Sequence, residues 1–212
     1  MEALSLTSRL PMARQEAHKR GLLLVISGPS GVGKGTIVNH LMALESNLQL
    51  STSVTTRSPR PGEVEGVSYF FRTQDEFLGM VEAGELLEYA QFGDHLYGTP
   101  RRFVEQALEN GRDVVLEIET RGAIQVKERM PSGVYLFVLP PTMQELENRL
   151  VKRRTEAAEA MRQRLAIAFD ELNYLSLYDY QIVNDDVEVA VEKVRAILVA
   201  ERCRVRRNLT AI

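Results

Sequence analysis

The amino-acid sequence predicts an α/β fold in which a mostly parallel sheet, flanked by helices, carries a small α+β insertion. Apolar runs of strand length alternate with segments of helix length, a glycine-rich loop joins the first strand to the first helix, and short strand-like pieces interrupt the alternation once. The 212 residues are 44% apolar with a formal net charge of −3, which excludes disorder of the whole chain because a core can be buried.

The predicted strands of the parallel sheet are short apolar runs. They span Leu22–Ser27, Leu48–Val54, Asp113–Ile118, Val134–Leu139 and Tyr180–Val183. Helix-length segments separate them, and this alternation is typical of parallel strands joined by crossover helices. We therefore predict a folded domain over 21–206, with residues 1–20 as a flexible N-terminal extension and 207–212 as a C-terminal tail.

The predicted helices are marked by apolar spacing and by capping residues. Ile37, Leu41 and Leu44 share one face of a helix over 36–44. Three signals mark later helix starts: the capping-box pairs Thr73–Glu76 and Thr142–Glu145, and Pro100 at a first helical position. Further helices are predicted over 156–175 and 186–206, and the last carries Cys203 as a small apolar side chain.

The α+β insertion is predicted over about 54–99. Its β-like pieces are Tyr69–Phe71, Leu86–Tyr89 and His95–Tyr97, and they surround a helical stretch over 73–83. We expect a small unit attached to the main sheet rather than a separate domain.

The composition limits the cellular compartment and the partners. A single cysteine excludes an intramolecular disulfide and a multi-cysteine zinc site, which favours a reducing compartment. No run of 18 apolar residues and no apolar signal segment is present, so we expect a cytoplasmic protein with no membrane partner. The near balance of 26 basic and 29 acidic residues argues against non-specific nucleic-acid binding. The oligomeric state stays open.

The glycine-rich loop predicts a phosphate-binding site. It comprises Gly28, Pro29, Ser30, Gly31, Val32, Gly33, Lys34, Gly35 and Thr36. Because it follows an apolar strand and opens a helix, its N–H groups can surround phosphate oxygens while Lys34 reaches the β- and γ-phosphates. This arrangement is that of the P-loop NTPase fold and predicts ATP binding. Gly35 stands where a magnesium-binding hydroxyl is usual, and Thr36 comes one residue later.

Two arginines follow the second predicted strand in a proline-rich turn. Arg57 and Arg60 each offer a planar fork of donors, so the pair can converge on one phosphate. Such a pair alone is more often a solvated loop. Its position directly after a strand in a phosphate-binding α/β protein favours an acceptor site.

At this point the sequence closely resembles the guanylate kinases over 21–206. The glycine loop, the run from Thr55 to Glu63, the Gly66-x-x-Tyr69-x-Phe71 pattern, Tyr97-Gly98-Thr99, Val183-Asn184-Asp185-Asp186 and the basic stretch 149–164 occur in family order. The glycine loop indicates only the superfamily, whereas the Thr-Thr-Arg run is highly specific.

The resemblance implies a GMP site in the insertion. The residues it assigns are Ser53, Arg57, Arg60, Tyr69, Glu88, Tyr97, Thr99 and Glu119. Glu88 also has an independent physical reason, since a carboxylate offers two acceptors to the N1–H and N2–H donors of guanine. Adenine has an acceptor at N1 and would leave that carboxylate unpaired, which discriminates against AMP.

The resemblance further implies a helical lid over about 141–165 that closes over ATP. The catalytic residues it assigns are Lys34, Arg57, Arg149, Arg153 and Arg164, with Asn184 in the ATP site and Mg²⁺ bound with ATP, near Thr36 and Glu117. Glu117 and Glu119 stand where the family often has Asp, and Arg154 where it commonly has Gly. No histidine is expected to take part in catalysis.

The implied reaction is ATP + GMP giving ADP + GDP, with ATP and GMP as small-molecule substrates. Positive groups around the γ-phosphate suit phosphoryl transfer, which depends on positioning and electrostatics. Two alternatives remain at the sequence level. One is a related P-loop kinase that acts on another small phosphate ester. The other is a non-catalytic module of the same fold that binds phosphopeptides, which the intact glycine loop and the lid arginines disfavour.

Overall fold

A computed structural model of the protein describes residues 20–152 and 158–204. The predicted extension 1–20, apart from residue 20, and the predicted tail 207–212 lie outside the described residues, as do Arg153 and Arg154. The described strands are β1 (Leu23–Ser27), β2 (Leu48–Leu50), β3 (Val54–Thr55), β4 (Phe70–Phe71), β5 (Leu86–Phe92), β6 (His95–Pro100), β7 (Asp113–Glu117), β8 (Val134–Leu139) and β9 (Tyr180–Val183). The described helices are α1 (Lys34–Leu44), α2 (Gln74–Glu82), α3 (Arg101–Glu109), α4 (Thr120–Arg129), α5 (Met143–Lys152), α6 (Ala158–Leu172) and α7 (Val187–Arg202).

The main sheet is parallel, with strand order β2-β7-β1-β8-β9. All five residues of β1 are buried, because helices cover both faces of the sheet and no face is left for polar residues. Two apolar clusters, one on each side of the sheet, form the core. The predicted α/β class with a parallel sheet is confirmed.

A second sheet of order β4-β3-β6-β5 is built from the region predicted as the insertion. It is mixed, since β3 pairs in parallel with β4 and antiparallel with β6. Val54, Phe77 and Leu86 form its own small core. The capping box predicted at Thr73 is present at the start of α2, with reciprocal hydrogen bonds to Glu76 of 3.2 and 2.7 Å.

Several predicted boundaries are wrong. The strand predicted over 48–54 is two strands in different sheets, because the chain leaves the β7 ladder after the Ser51 N–H donates to the Val115 carbonyl. Pro100 is the residue before α3 rather than its first residue. The terminal helix begins at Val187, where the Asp186 side chain caps the Val189 N–H, and ends at Arg202. Cys203 follows that end and is exposed, not packed as an apolar side chain.

The amino ends of the central strands are tied together by ionic contacts. The Asp113 carboxylate, 3% exposed, accepts from the Leu22 N–H at 2.7 Å and pairs with Arg202 at 2.5 Å. Arg202 and Arg195 both pair with Glu45 at the end of α1, at 3.4 and 3.0 Å. This network joins β1, β7, α1 and α7 at the pole opposite the glycine loop.

Candidate active site

The glycine loop leaves the carboxyl end of β1, where ligands of open parallel sheets commonly bind. Gly28, Gly31 and Gly33 have φ of +138°, +86° and +98°, which side-chain-bearing residues rarely adopt. A Cβ on Gly28 would lie 2.3 Å from the Val138 carbonyl oxygen. Since α1 begins at Lys34, the loop sits at a helix N-terminus, which favours bound anions.

The Lys34 ammonium group is held by the loop itself. Its Nζ donates to the carbonyl oxygens of Gly28 at 2.5 Å and Pro29 at 3.1 Å. The charge predicted to reach the donor phosphates therefore lies at the amino end of the phosphate loop.

Asn184 and Arg149 brace the other side of the loop. Asn184 is 6% exposed, and its Nδ2 donates to the Val32 carbonyl oxygen at 2.8 Å. Arg149 Nη1 donates to the carbonyl oxygens of Asn184 at 3.1 Å and Val32 at 3.4 Å, while its Nε pairs with Glu145 at 2.9 Å. Two residues predicted to contact ATP are thus in contact with the loop that would hold it.

Glu117, at the end of β7, lies beside Gly35. A Cβ on Gly35 would lie 3.3 Å from Glu117 Oε1, so the carboxylate occupies the space beside this position. Desolvation raises the pKa of the Glu117 carboxyl, and the nearby Lys34 charge partly offsets this. The Glu117 carboxylate and the hydroxyl of the exposed residue Thr36 both lie next to the loop.

A cleft of about 180 Å³ opens on the other side of Glu117. It is lined by Leu50, Ser51, Ser53, Ser68, Tyr69, Thr99, Leu116, Glu117 and Ile118. The cleft lies between the two sheets and brings together three residues predicted for the acceptor site: Ser53, Tyr69 and Thr99. Glu117 is the residue shared by this cleft and the glycine loop.

Glu88 is a buried carboxylate on β5, paired across the ladder with Thr99. It is 6% exposed, and its Oε1 accepts from the Thr99 hydroxyl at 2.6 Å. Burial raises the pKa of Glu88, and the Glu119 charge raises it further, whereas Thr99 and Arg129 lower it. Glu119, the exposed residue before α4, thus lies close enough to act on Glu88 electrostatically.

Arg57 is held in place within its own turn. Its Nη2 pairs with Glu63 Oε1 at 2.8 Å, and its guanidinium lies 5.4 Å from the centre of the Tyr69 ring. Tyr97 lies beside the same guanidinium and packs edge-on against Tyr69 at 6.1 Å. Arg60 is exposed at the tip of the turn. Arg57, Tyr69 and Tyr97, all predicted for the GMP site, therefore form one contact group.

Sequence reasoning gave Glu63 no role. Besides pairing with Arg57, it accepts from the Arg60 N–H at 2.7 Å, and these contacts hold the pKa of its carboxyl below the usual range. The signal available was a carboxylate six residues after an arginine within one proline- and glycine-containing turn.

A polar cluster beneath the loop was also missed. The hydroxyls of Ser27 and Thr120 lie 3.4 Å apart, and the Tyr178 hydroxyl is buried beside them. Glu171 of α6 reaches this cluster; desolvation raises the pKa of its carboxyl, while Thr120 and Lys34 act in the opposite direction. Helix α6, whose first half falls within the predicted lid, is thereby in contact with the centre of the site. Arg164, on the same helix, is half-buried.

Among the described residues, no group of three or more His, Cys, Asp or Glu side chains is arranged to hold a metal ion. None of the described helices has the length and apolarity needed to cross a membrane.

Comparison with known proteins decides the family. The sequence model of the guanylate kinase family matches residues 20–201. The chain belongs to the guanylate kinase family. The resemblance inferred from the sequence motifs is confirmed.

Curated guanylate kinases and a solved structure agree with this assignment. The guanylate kinase of Caldanaerobacter subterraneus subsp. tengcongensis is 56% identical over 90% of this chain and 92% of its own length. That of Lactococcus lactis subsp. lactis is 52% identical over 90% and 93%. The crystal structure of guanylate kinase from Anaplasma phagocytophilum covers 89% of this chain and 90% of its own, with a TM-score of 0.70 and 36% identity. The predicted class of enzyme, a kinase, is confirmed.

Proposed function

We propose that this guanylate kinase transfers the γ-phosphoryl group of ATP to GMP, with the glycine loop as donor site and the cleft beyond Glu117 as acceptor site. The observation that carries the proposal is the position of Glu117. It lies against Gly35 of the loop and lines the cleft with Ser53, Tyr69 and Thr99, so the two sites share one wall. Phosphoryl transfer needs donor and acceptor phosphates close together and in line.

On the donor side, the loop amides and the N-terminus of α1 bind the polyphosphate, and Lys34 stabilises charge on the β- and γ-phosphates. Asn184 and Arg149 keep the loop in shape through Val32. Arg149, Arg153 and Arg164 supply positive charge around the transferred group when the lid closes. Closure also excludes water, which limits ATP hydrolysis.

On the acceptor side, Arg57 and Arg60 bind the GMP phosphate, with Tyr69 and Tyr97 completing that pocket. Glu63 supports this role because it holds the Arg57 guanidinium in one orientation. Ser53, Glu88, Thr99 and Glu119 face the guanine. The ionised Glu88 accepts from N1–H and N2–H, and losing such a buried charged contact is costly, so AMP is rejected.

The donor set beside the loop fits Mg²⁺ held together with ATP. Glu117 and Thr36 offer carboxylate and hydroxyl oxygens, which are the ligands that this hard cation prefers. Glu117 and Thr36 would hold the ion, which would supply positive charge beside the β- and γ-phosphates. Glu117, which lies beside Gly35, would take the place of the hydroxyl that residue 35 lacks.

A coupled ADP-release assay tests the proposal. ATP and Mg²⁺ are supplied with GMP, AMP, UMP, another small phosphate ester such as a ribose bisphosphate, or no acceptor. We expect rapid ADP formation only when GMP is the acceptor. Lys34→Met, purified in parallel, controls for contaminating kinases. Equal rates with AMP, or the same rate without an acceptor, would contradict the acceptor assignment.

A further inference from the structure

Helix α4, which packs against the main sheet, also covers the outer edge of β5 in the second sheet. Gln125 Nε2 donates to the Tyr89 carbonyl oxygen at 3.1 Å, and Gln125 Oε1 accepts from the Tyr89 N–H at 3.3 Å. Arg129 Nη1 donates to the Leu87 carbonyl oxygen at 2.9 Å. An edge strand normally exposes these groups to solvent. Here two side chains of one helix satisfy them.

The residue between the two anchored positions is Glu88. On its inner edge β5 pairs with β6, in register with Thr99, and on its outer edge Leu87 and Tyr89 are held by α4. The backbone that carries Glu88 is therefore fixed from both sides. A carboxylate that must meet two donors of one base needs this restriction, because a small displacement weakens both hydrogen bonds.

The same helix also shapes the space around the Glu88 carboxylate. A Cβ on Gly122 would lie 2.9 Å from Glu88 Oε2, so a larger residue in the first turn of α4 would require this carboxylate to shift. The groups that act on its charge are Thr99 from β6, Glu119 before α4, and Arg129 from α4. Arg129 opposes the effects of burial and of Glu119.

We propose that Gln125 and Arg129 are positioning residues for guanine selection. Both side chains hold the β5 segment that carries Glu88 against helix α4. The proposal rests on the proposed role of Glu88 in binding guanine. Gln125 anchors the backbone at Tyr89, and Arg129 anchors it at Leu87 and adds a positive charge that favours the ionised form of Glu88.

Steady-state kinetics of Gln125→Ala test the anchor. This substitution removes two hydrogen bonds, each of which contributes a factor of about 2 to 10 to an equilibrium constant. We therefore expect KM for GMP to rise about tenfold. KM for ATP should stay within about twofold, because α4 does not contact the glycine loop through Gln125. Glu128→Ala, an exposed position on the same helix, is the matched control and should leave both constants unchanged. Equal increases in both KM values, or none, would overturn the anchor.

The pH dependence of KM for GMP tests the charge. Guanine binding needs ionised Glu88, so KM rises as pH falls through its pKa. In Arg129→Met that rise should begin at higher pH, since removal of a nearby positive charge favours the protonated carboxyl. Arg129→Lys should restore the profile, and Arg112→Met, an exposed arginine at the amino end of β7, should leave it unchanged. A merely structural role would lower thermal stability without moving the profile, and that result would overturn the proposal.

The Glu88→Gln background separates this proposal from the proposed function. If Glu88→Gln leaves KM for GMP unchanged, the guanine assignment itself fails. If Glu88→Gln raises KM but Gln125→Ala does not, only the positioning role fails. If each single substitution raises KM for GMP, the double variant should raise it by much less than the product of the two single factors, because both substitutions act through one contact.

Discussion

At the scale of single residues, the site depends on charged groups whose surroundings are already arranged. Lys34 is held by two loop carbonyls, Arg57 by Glu63, and Glu88 by Thr99. Each partner is a neighbour in the turn or across a ladder. The groups are thus preorganised by the protein, which is how charge stabilisation becomes effective in a site that excludes water.

Replacing Lys34 tests the donor site at this scale. In Lys34→Met the side chain keeps a similar length but loses its charge, so we expect kcat to fall by about 100-fold or more. The two hydrogen bonds to the loop carbonyls contribute about 1 kcal/mol each, so the loss in free energy of unfolding should be modest. Turnover measured beside thermal unfolding checks both. Near-normal turnover would remove the phosphate-binding role of Lys34.

Ionisation of Glu88 should favour GMP binding but lower the stability of the folded protein. Because its pKa is raised in the folded protein, the folded state binds more protons than the unfolded chain between the ordinary carboxyl pKa and the raised one. Stability therefore falls as pH rises through that window, and the cost persists at neutral pH. We expect Glu88→Gln to unfold at a higher temperature than the wild type at neutral pH, with weaker GMP binding. The advantage should vanish at about pH 3, well below the ordinary glutamate pKa, where the wild-type carboxyl is protonated in both states; an advantage independent of pH would contradict this explanation.

At the scale of elements, the glycine loop and α1 form a unit whose shape is set by backbone geometry and by a distant strand end. Gly33 combines a φ of +98° with a close approach to Asn184, whose Nδ2 would lie 2.5 Å from an added Cβ. Asn184, the residue after β9, therefore packs directly against Gly33, the residue before α1. No side chain fits between them without displacing Asn184.

Gly33→Ala tests this packing. Backbone strain and the displacement of Asn184 should together lower the free energy of unfolding by about 1 to 3 kcal/mol and raise KM for ATP more than KM for GMP. Gly84→Ala is the matched control, since Gly84 also has positive φ, at +67°, but nothing lies within 4 Å of an added Cβ. Chemical denaturation and kinetics of both variants give the comparison. Equal effects of the two substitutions would exclude a specific role for the Asn184 contact.

At the scale of the whole molecule, the proposed active site and the ionic network lie at opposite ends of the same strands. β7 begins with Asp113, which belongs to the ionic network at the amino ends, and ends with Glu117 between the proposed donor and acceptor sites. A defect in the network should therefore weaken the fold without altering the chemistry.

Asp113→Asn tests this separation. The amide oxygen can still accept from the Leu22 N–H, but the partly exposed Arg202 loses its closest partner, so we expect a loss of about 1 to 2 kcal/mol in free energy of unfolding. Values of kcat and KM should be unchanged. The control is Glu192→Gln, which removes an exposed ion pair with Arg195 and should change stability by less than about 0.5 kcal/mol. A loss of activity in Asp113→Asn at temperatures where the variant is folded would show that the ionic network affects the proposed active site.

Local sequence patterns predicted the elements well because their causes are local. The capping box at Thr73 and Glu76 involves residues three apart, and the glycine loop is recognised from its own glycine spacing and the helix that follows. The run over 48–54 was predicted as one strand because apolar alternation does not reveal when a chain leaves one sheet for another. The cytoplasmic location, the absence of a nucleic-acid partner and the lid role of Arg153 stay predictions.

The sequence by itself determined the α/β class, the phosphate loop and the family, since these reside in short-range spacing and in motifs that occur in a fixed order. The tertiary structure alone decided that Glu117 fills the space beside Gly35, that Glu171 reaches Thr120, and that Gln125 anchors Tyr89. The last pair is separated by 36 residues. Such contacts arise only when the folded chain brings distant segments together, and no spacing along the sequence encodes them.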